Sequence, residues 1–410
     1  MNYENFCATA LAQLKRNHTY RTFSNLERRA DRFPRAVLDD ADGRREVVVW
    51  CSNDYLAMGQ HPAVINAMTE TAAHDGAGAG GSRNIAGTSR WHAELERELA
   101  ALHGRDAALL FATGYIANET ALATLGSRLP GCVFFSDELN HASLIHGIRA
   151  ARAEKHVFAH NDVRDLERQL RSVDPARPKI IVFESVYSMD GDFAPVREIC
   201  ALAQRYNALT FLDEVHAVGV YGTTGAGLAE HLGVKTVPDI IAGTLGKGFG
   251  VSGGYLAGSA TLMDYIRSFG PGFIFTTALP PAVAAAALAS VRHLRHSQTE
   301  RARLFELVLS LKCQLERAGL PVLPTDSHIV PLLVGDAERC RALSRELLLR
   351  HRILTPPINF PTVAVGSERL RLTLTPRHDE MMIAQLVHAL TDAWERVGLS
   401  RRRIALRLAA

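Results

Sequence analysis

The sequence predicts an α/β protein: an open, mostly parallel sheet with helices on both faces, followed by a smaller α+β domain. Three observations carry that expectation. From about Asp106 to Ala278, short apolar runs alternate with stretches of helical periodicity. Several of those runs are apolar throughout, as strands covered on both faces must be. Beyond about Pro281 the texture changes to long Ala/Leu/Arg-rich helices with two isolated strand candidates, which reads as a second, mixed unit. The expected division is an N-terminal arm over 1–55, a large domain over 56–285 and a C-terminal domain over 286–410.

The elements follow in order. HPAVINAMTETAAHD (His61 to Asp75) spaces its apolar residues helically behind a Pro suited to a first turn. Next comes GAGAGG, whose Gly76, Gly78 and Gly81 satisfy the letter of the Gly-x-Gly-x-x-Gly dinucleotide fingerprint. That fingerprint works only between a strand and the helix that receives a pyrophosphate. Here a helix precedes it, and the charged helix WHAELERELAALHG stands where a ribose-binding acid should follow. The glycines therefore read as a turn whose backbone can approach a ligand closely. Strand candidates then run DAALLF, CVFFSD, KHVFAHND, KIIVFES, LTFLDE, DIIAG, GGYLAGS and FIFTTAL, and the smaller domain adds SHIVPLLVG, ERLRLTLTP and a final helix.

Bulk properties narrow the function classes. The 410 residues are 47% hydrophobic and 22% charged with a net charge of +3, an ordinary globular balance that gives little field for nucleic acid. The one basic run, SRRRIALRLAA at the C-terminus, reads as a solvated end. Six cysteines lie far apart with no C-x-x-C, so neither zinc nor disulfides are expected. No apolar run reaches membrane-spanning length and the N-terminus carries acids rather than a signal core, so a cytoplasmic protein is expected.

In sheets of this kind ligands gather beyond the carboxyl ends of the strands. Asp213 ends LTFLD, with His216 three residues on. Lys247, in GTLGKGFG, follows DIIAG. A P-loop reading of that lysine fails twice, because Ile241 stands where its first Gly belongs and Gly248 where its hydroxyl belongs. A lysine and an aspartate at two strand ends suit pyridoxal phosphate (PLP): the amine forms a Schiff base and the carboxylate keeps the pyridine nitrogen protonated. Thr113, Gly114 and Tyr115 follow a strand and open a helix whose free N–H groups attract a phosphate, and Thr244 can add a hydroxyl. His141 could stack on the ring, and Arg371 could grip a carboxylate bidentately. Taken singly, each of these also has a plain structural reading as a turn cap, a loop histidine or a solvated cation.

NHAS, ESVYSMDGD, FLDEVHAVG, GTLGKGFG and FIFTTALPP, in this order, resemble the α-oxoamine synthase family of fold-type I PLP-dependent enzymes, over nearly the whole chain. Four activities compete within it: 5-aminolevulinate synthase, 8-amino-7-oxononanoate synthase, 2-amino-3-ketobutyrate ligase and serine palmitoyltransferase. YRTF, VWCSNDYLAMGQHP, GGSRNIAGTSRWHAELE, HNDV, SHIVP and PPINFPTV resemble the first. The resemblance implies condensation of glycine with succinyl-CoA to 5-aminolevulinate, CoA and carbon dioxide, the entry to tetrapyrroles, by a homodimeric acyltransferase.

Residue by residue, it implies Lys247 as the Schiff-base lysine and base, Asp213 as the pyridinium partner and His141 as the stacking ring. It implies His216 at the phenolic oxygen, Ser188 beside the cofactor and Thr276 reaching a phosphate across a subunit interface. Arg371 and Asn53 would hold glycine's carboxylate. Ser82, Asn84 and Ile85 would line the succinyl pocket, with Arg21 pairing its distal carboxylate; that buried charge would be costly against a fatty chain. Thr362 would be a further substrate-binding residue. Three departures stand out: Ser82 for a threonine, Gly248 for an alanine, and Ala364–Val365 where the mobile loop usually has Pro-Arg. They leave open an antibiotic-pathway relative that also cyclises 5-aminolevulinyl-CoA to a 2-amino-3-hydroxycyclopent-2-enone unit.

Overall fold

The computed structural model describes residues 1–17, 19–234 and 238–400, so the basic tail from 401 onward lies outside the described residues. The chain forms two units, one of Asn53–Ser188 with Asp192–Arg301, the other of Met1–Ser52, Met189–Gly191 and Ala302–Ala410.

The larger unit holds a seven-stranded sheet. Its strands in chain order are β1 (Ala107–Phe111), β2 (Val133–Asp137), β3 (Glu154–Phe158), β4 (Lys179–Glu184), β5 (Ala208–Asp213), β6 (Ile240–Thr244) and β7 (Gly254–Gly258). In space they run β1-β7-β6-β5-β4-β2-β3. β2 through β6 pair in parallel, while β7 is antiparallel to both neighbours. The flat apolar runs are what the sheet requires, since every residue of β2, β4, β6 and β7 is buried.

On one face the helices Gly114–Arg128 and Ala142–Ala151 pack so closely that glycine is needed between them. A Cβ on Gly147 would stand 2.9 Å from Leu122 Cβ, and one on Gly126 would stand 2.3 Å from the Phe134 ring. Leu122, Leu125, Phe134, Leu144 and Ile148 fill the layer beneath.

One expected strand is not one. In FIFTTAL the structure has a short helix, Pro271–Ile274, capped by Gly270. Proline at its first turn and glycines on either side break an otherwise apolar run.

The smaller unit contains more sheet than the sequence suggests. Its N-terminal part is a helix, Tyr3–Arg16, and a meander of Asn25–Arg28, Arg35–Asp40 and Gly43–Val49, which Ile353–Leu354 joins in parallel. The two expected strands, Ile329–Leu333 and Arg369–Thr373, pair antiparallel, with Pro357–Ile358 as a third strand. Among the described residues no helix is long and apolar enough to cross a membrane.

Candidate active site

The candidate site residues of the larger sheet lie at and beyond the carboxyl ends of β1, β2, β4, β5 and β6. Thr113, two residues past β1, caps the helix Gly114–Arg128 by accepting the Ile116 N–H at 3.2 Å, and the other N–H groups of that first turn face outward from the helix start. Thr244, at the end of β6, comes against this turn: a Cβ on Gly114 would lie 3.5 Å from Thr244 Cβ. Thr244 Oγ1 donates to the Gly253 carbonyl at 3.0 Å and accepts the Gly246 N–H at 3.2 Å. β7 seals the other side, because a Cβ on Gly254 would stand 2.3 Å from the Gly114 nitrogen. The Tyr115 hydroxyl bonds His146 Nδ1 at 2.7 Å, and its ring stands edge-on to His141 at 6.3 Å.

Asp213 ends β5 with 2% of its surface exposed. Its carboxylate accepts the Val215 N–H at 2.9 Å and an N–H of Asn118 at 2.7 Å. Burial pushes its pKa above the usual carboxylate value, opposed by the Val215 N–H, the Lys247 charge, Asn118 and His141. Lys247 thus stands near enough for its charge to act on the Asp213 carboxylate. His141 joins them: burial lowers its basicity, Asp213 raises it and Lys247 lowers it, so the imidazole is held neutral. It caps the helix Ala142–Ala151, its Nδ1 accepting the Ser143 N–H at 3.2 Å, which leaves the proton on Nε2.

His216 lies three residues beyond Asp213, in the turn that follows β5, and is buried. The Tyr55 hydroxyl links its Nδ1, at 2.8 Å, to Asn53 Oδ1, at 3.2 Å, so two residues assigned separately from the sequence meet through a third that was not assigned. Ser188 is half-buried after the β4 strand. Ser82 forms an antiparallel bridge to Thr277, next to Thr276, while Asn84 and Ile85 are exposed, Ile85 to 84%. The turn between them is fixed by Arg83, whose guanidinium meets Glu96 through two bonds of 2.8 and 2.9 Å. Arg21, Thr362 and Arg371 belong to the smaller unit. There Arg21 Nη2 reaches Thr362 Oγ1 at 3.4 Å, and Arg371 is buried in the strand Arg369–Thr373, where burial and its charge push His328 well below the usual histidine range.

Three further groups escaped the sequence reading. Asn118, in the second turn of its helix, holds Asp213, and its Oδ1 accepts from nothing among the described residues. Glu184 ends β4 as Asp213 ends β5, is 1% exposed, and accepts the His141 N–H at 2.6 Å; burial and Asp213 hold it protonated far above the carboxylate range. His160 lies between Asp137 at 2.9 Å and Asp192 at 2.8 Å. The signal for Glu184 was available, since it is an acid closing an apolar run; the others are polar residues whose partners lie far away in sequence.

Residues 45–390 match the model of the aminotransferase class I and II family. The chain is 53% identical to a 5-aminolevulinate synthase of Bradyrhizobium diazoefficiens over 99% of both chains. It is 55% identical to 5-aminolevulinate synthase 2 of Cereibacter sphaeroides over 93% of this chain and 95% of the relative. Among solved structures, a serine palmitoyltransferase from S. paucimobilis with a bound PLP–myriocin aldimine is similar at a TM-score of 0.88 and 29% identity, covering 96% of this chain and 97% of that one.

Proposed function

The chain belongs to the 5-aminolevulinate synthase family, within the class I and II aminotransferases, and from that membership we infer its reaction. It is a fold-type I, PLP-dependent acyltransferase that condenses glycine with succinyl-CoA, releasing CoA and carbon dioxide and yielding 5-aminolevulinate. The observation that carries the reading is the buried carboxylate of Asp213 under the charge of Lys247, at the ends of neighbouring parallel strands.

The residues present fit the cofactor. A carboxylate buried to 2% exposure calls for a cation, and a protonated ring nitrogen would supply one. The helix start at Gly114, kept clear by glycine at 254, offers N–H groups to a phosphate. Bound, PLP supplies a carbonyl carbon for amines and an electron sink for an α-carbanion.

The chain's own residues would do the rest. Lys247 would anchor the cofactor and, displaced by glycine, its freed Nζ would take the glycine α-proton and later return one. Asp213 would hold the proton on the ring nitrogen, with Asn118 fixing the carboxylate's orientation. His141, kept neutral, would lie against a cationic ring without repelling it, and Glu184 would fix the backbone that carries His141. His216, oriented by Tyr55, would meet the phenolic oxygen. Thr113, Gly114, Tyr115 and Thr244 would hold the phosphate, and Ser188 would lie beside the cofactor. Arg371 and Asn53 would bind glycine's carboxylate; Arg21, Ser82, Asn84 and Ile85 would bind the succinyl chain, with Thr362 a further substrate-binding residue. The resemblance also supports a cytoplasmic homodimer in which Thr276 reaches the partner's phosphate.

The test mixes purified protein, PLP and glycine with a panel of acyl-CoAs, follows CoA release and identifies the product by mass. Succinyl-CoA should be preferred and linear 5-aminolevulinate should accumulate. Exclusive use of acetyl- or pimeloyl-CoA, or a cyclised product, would overturn the assignment.

A further inference from the structure

Behind the Lys247 turn, three side chains from three elements converge in the larger unit. His61 caps the helix Pro62–Asp75, His293 lies in the last turn of Pro281–His296, and Glu300 lies in the first turn of Thr299–Arg317. All three are half-buried, and one ligand atom from each falls within 4.8 Å of the others. The two imidazoles lie side by side with ring centroids 4.3 Å apart. His293 Nε2 meets Glu300 Oε1 at 2.7 Å, and the other carboxylate oxygen is held by the Ser297 hydroxyl at 2.6 Å. We propose that His61, His293 and Glu300 form a binding site for a divalent transition-metal ion of the Zn²⁺ class, with water completing the coordination.

The donor set suits such an ion, since two imidazoles and a carboxylate are borderline ligands and three protein groups plus water is a common zinc arrangement. With bonds of about 2.0–2.1 Å, tetrahedral ligand atoms stand about 3.3 Å apart, so the triad closes on an ion by side-chain rotations of about 1 Å. The ion takes the place of the hydrogen bond between His293 Nε2 and Glu300 Oε1, the imidazole keeping one proton on Nδ1 and any second proton leaving to solvent. Ser297 remains as the outer partner that orients the carboxylate. One interaction at His61 that an ion would compete with is a 3.3 Å bond from the Ala63 N–H, long for its type.

The position gives the ion something to do. Ser290, one turn before His293, donates to the Phe249 carbonyl at 2.8 Å. Gly59, two residues before His61, packs so tightly on Gly250 that a Cβ would stand 2.6 Å from its carbonyl oxygen, and the Gly250 N–H bonds the Lys247 carbonyl at 2.8 Å. Both histidines thus sit on segments that grip the Lys247 turn, and an ion would staple those segments together. The proposal stands apart from the reaction assigned above, because metal binding would persist in a chain without activity.

The test uses tag-free, PLP-loaded full-length protein stripped with a chelator and titrated calorimetrically with Zn²⁺ alone. One equivalent should bind per chain with Kd of about 10 μM or tighter. His61→Ala and His293→Ala, each checked for folding by circular dichroism, should each weaken binding about tenfold or more, while His296→Ala, an exposed neighbour on the same helix, should not. No saturable binding, or binding that survives either substitution, overturns the proposal. Should a variant fail to fold, the visible spectrum of the Co²⁺-loaded wild type decides: an intense four- or five-coordinate band supports the site, and a weak octahedral one refutes it.

Discussion

Gly254→Ala tests the phosphate end of the proposed site. The added methyl would meet the Gly114 nitrogen at 2.3 Å and its Cα at 2.4 Å. Carbon atoms rest about 3.5–4.0 Å apart, so the overlap is about 1 Å and falls on backbone that no side-chain rotation can clear. Gly254 is paired on both sides, to Phe111 in β1 and Thr244 in β6, so the helix start must yield. Overpacking of this kind costs about 1–3 kcal/mol, or about 2–10 °C in Tm. Misaiming one charge-assisted N–H bond to a phosphate costs a further ~1.5–3 kcal/mol, or about 10–150-fold in Kd. Titration of the apo-protein with PLP, followed by absorbance, reads the second quantity separately from the first. Gly78→Ala is the control: nothing lies within 4 Å of its added methyl, and both quantities should stay within about 0.5 kcal/mol. A destabilised Gly254→Ala protein with wild-type PLP affinity would refute the placement of phosphate at this helix.

Three other outcomes are expected. Glu96→Gln removes the partner of an Arg83 side chain only 11% exposed and weakens the bond from the Leu110 N–H, so urea unfolding should show a loss of about 3 kcal/mol, and a loss below about 1 kcal/mol would contradict the buried-pair account. Burial lowers the His160 imidazole's basicity, but Asp137 and Asp192 outweigh it and hold the value up at about 10. A value raised on folding from about 6.5 contributes stability that is full below that pH and is lost as pH climbs toward 10, so the advantage of wild type over His160→Gln should shrink across that window; a constant difference would be inconsistent with it. Tyr55→Phe removes the hydroxyl that orients His216, so the visible band of the PLP-loaded protein should shift, and an unchanged band would place His216 away from the ring.

The sheet was legible because its central strands are buried on both faces and so carry largely apolar runs. FIFTTAL carries one too, but Gly270, Pro271 and Gly272 turn it into a helix and loop. The N-terminal strands were harder to read: NLER is short, charged and mostly exposed, while RAVLDD and GRREVVV bury only alternate residues, Ala36 with Leu38 and Val47 with Val49, among charged neighbours. At the site, Lys247 and Asp213 could be read because each follows a strand whose other residues are apolar. Tyr55 could not, because its meaning lies in a contact with His216 across 161 positions. Asn118 is hidden within an Ala-rich helix that any helix former would satisfy.

In the proposed reaction the lysine of GTLGKGFG carries the cofactor. Borohydride reduction of the PLP-loaded protein, followed by proteolysis and mass mapping, should leave the pyridoxyl group on the peptide that contains Lys247. Label on a different lysine, or none in a protein that binds PLP and turns over glycine, would contradict it.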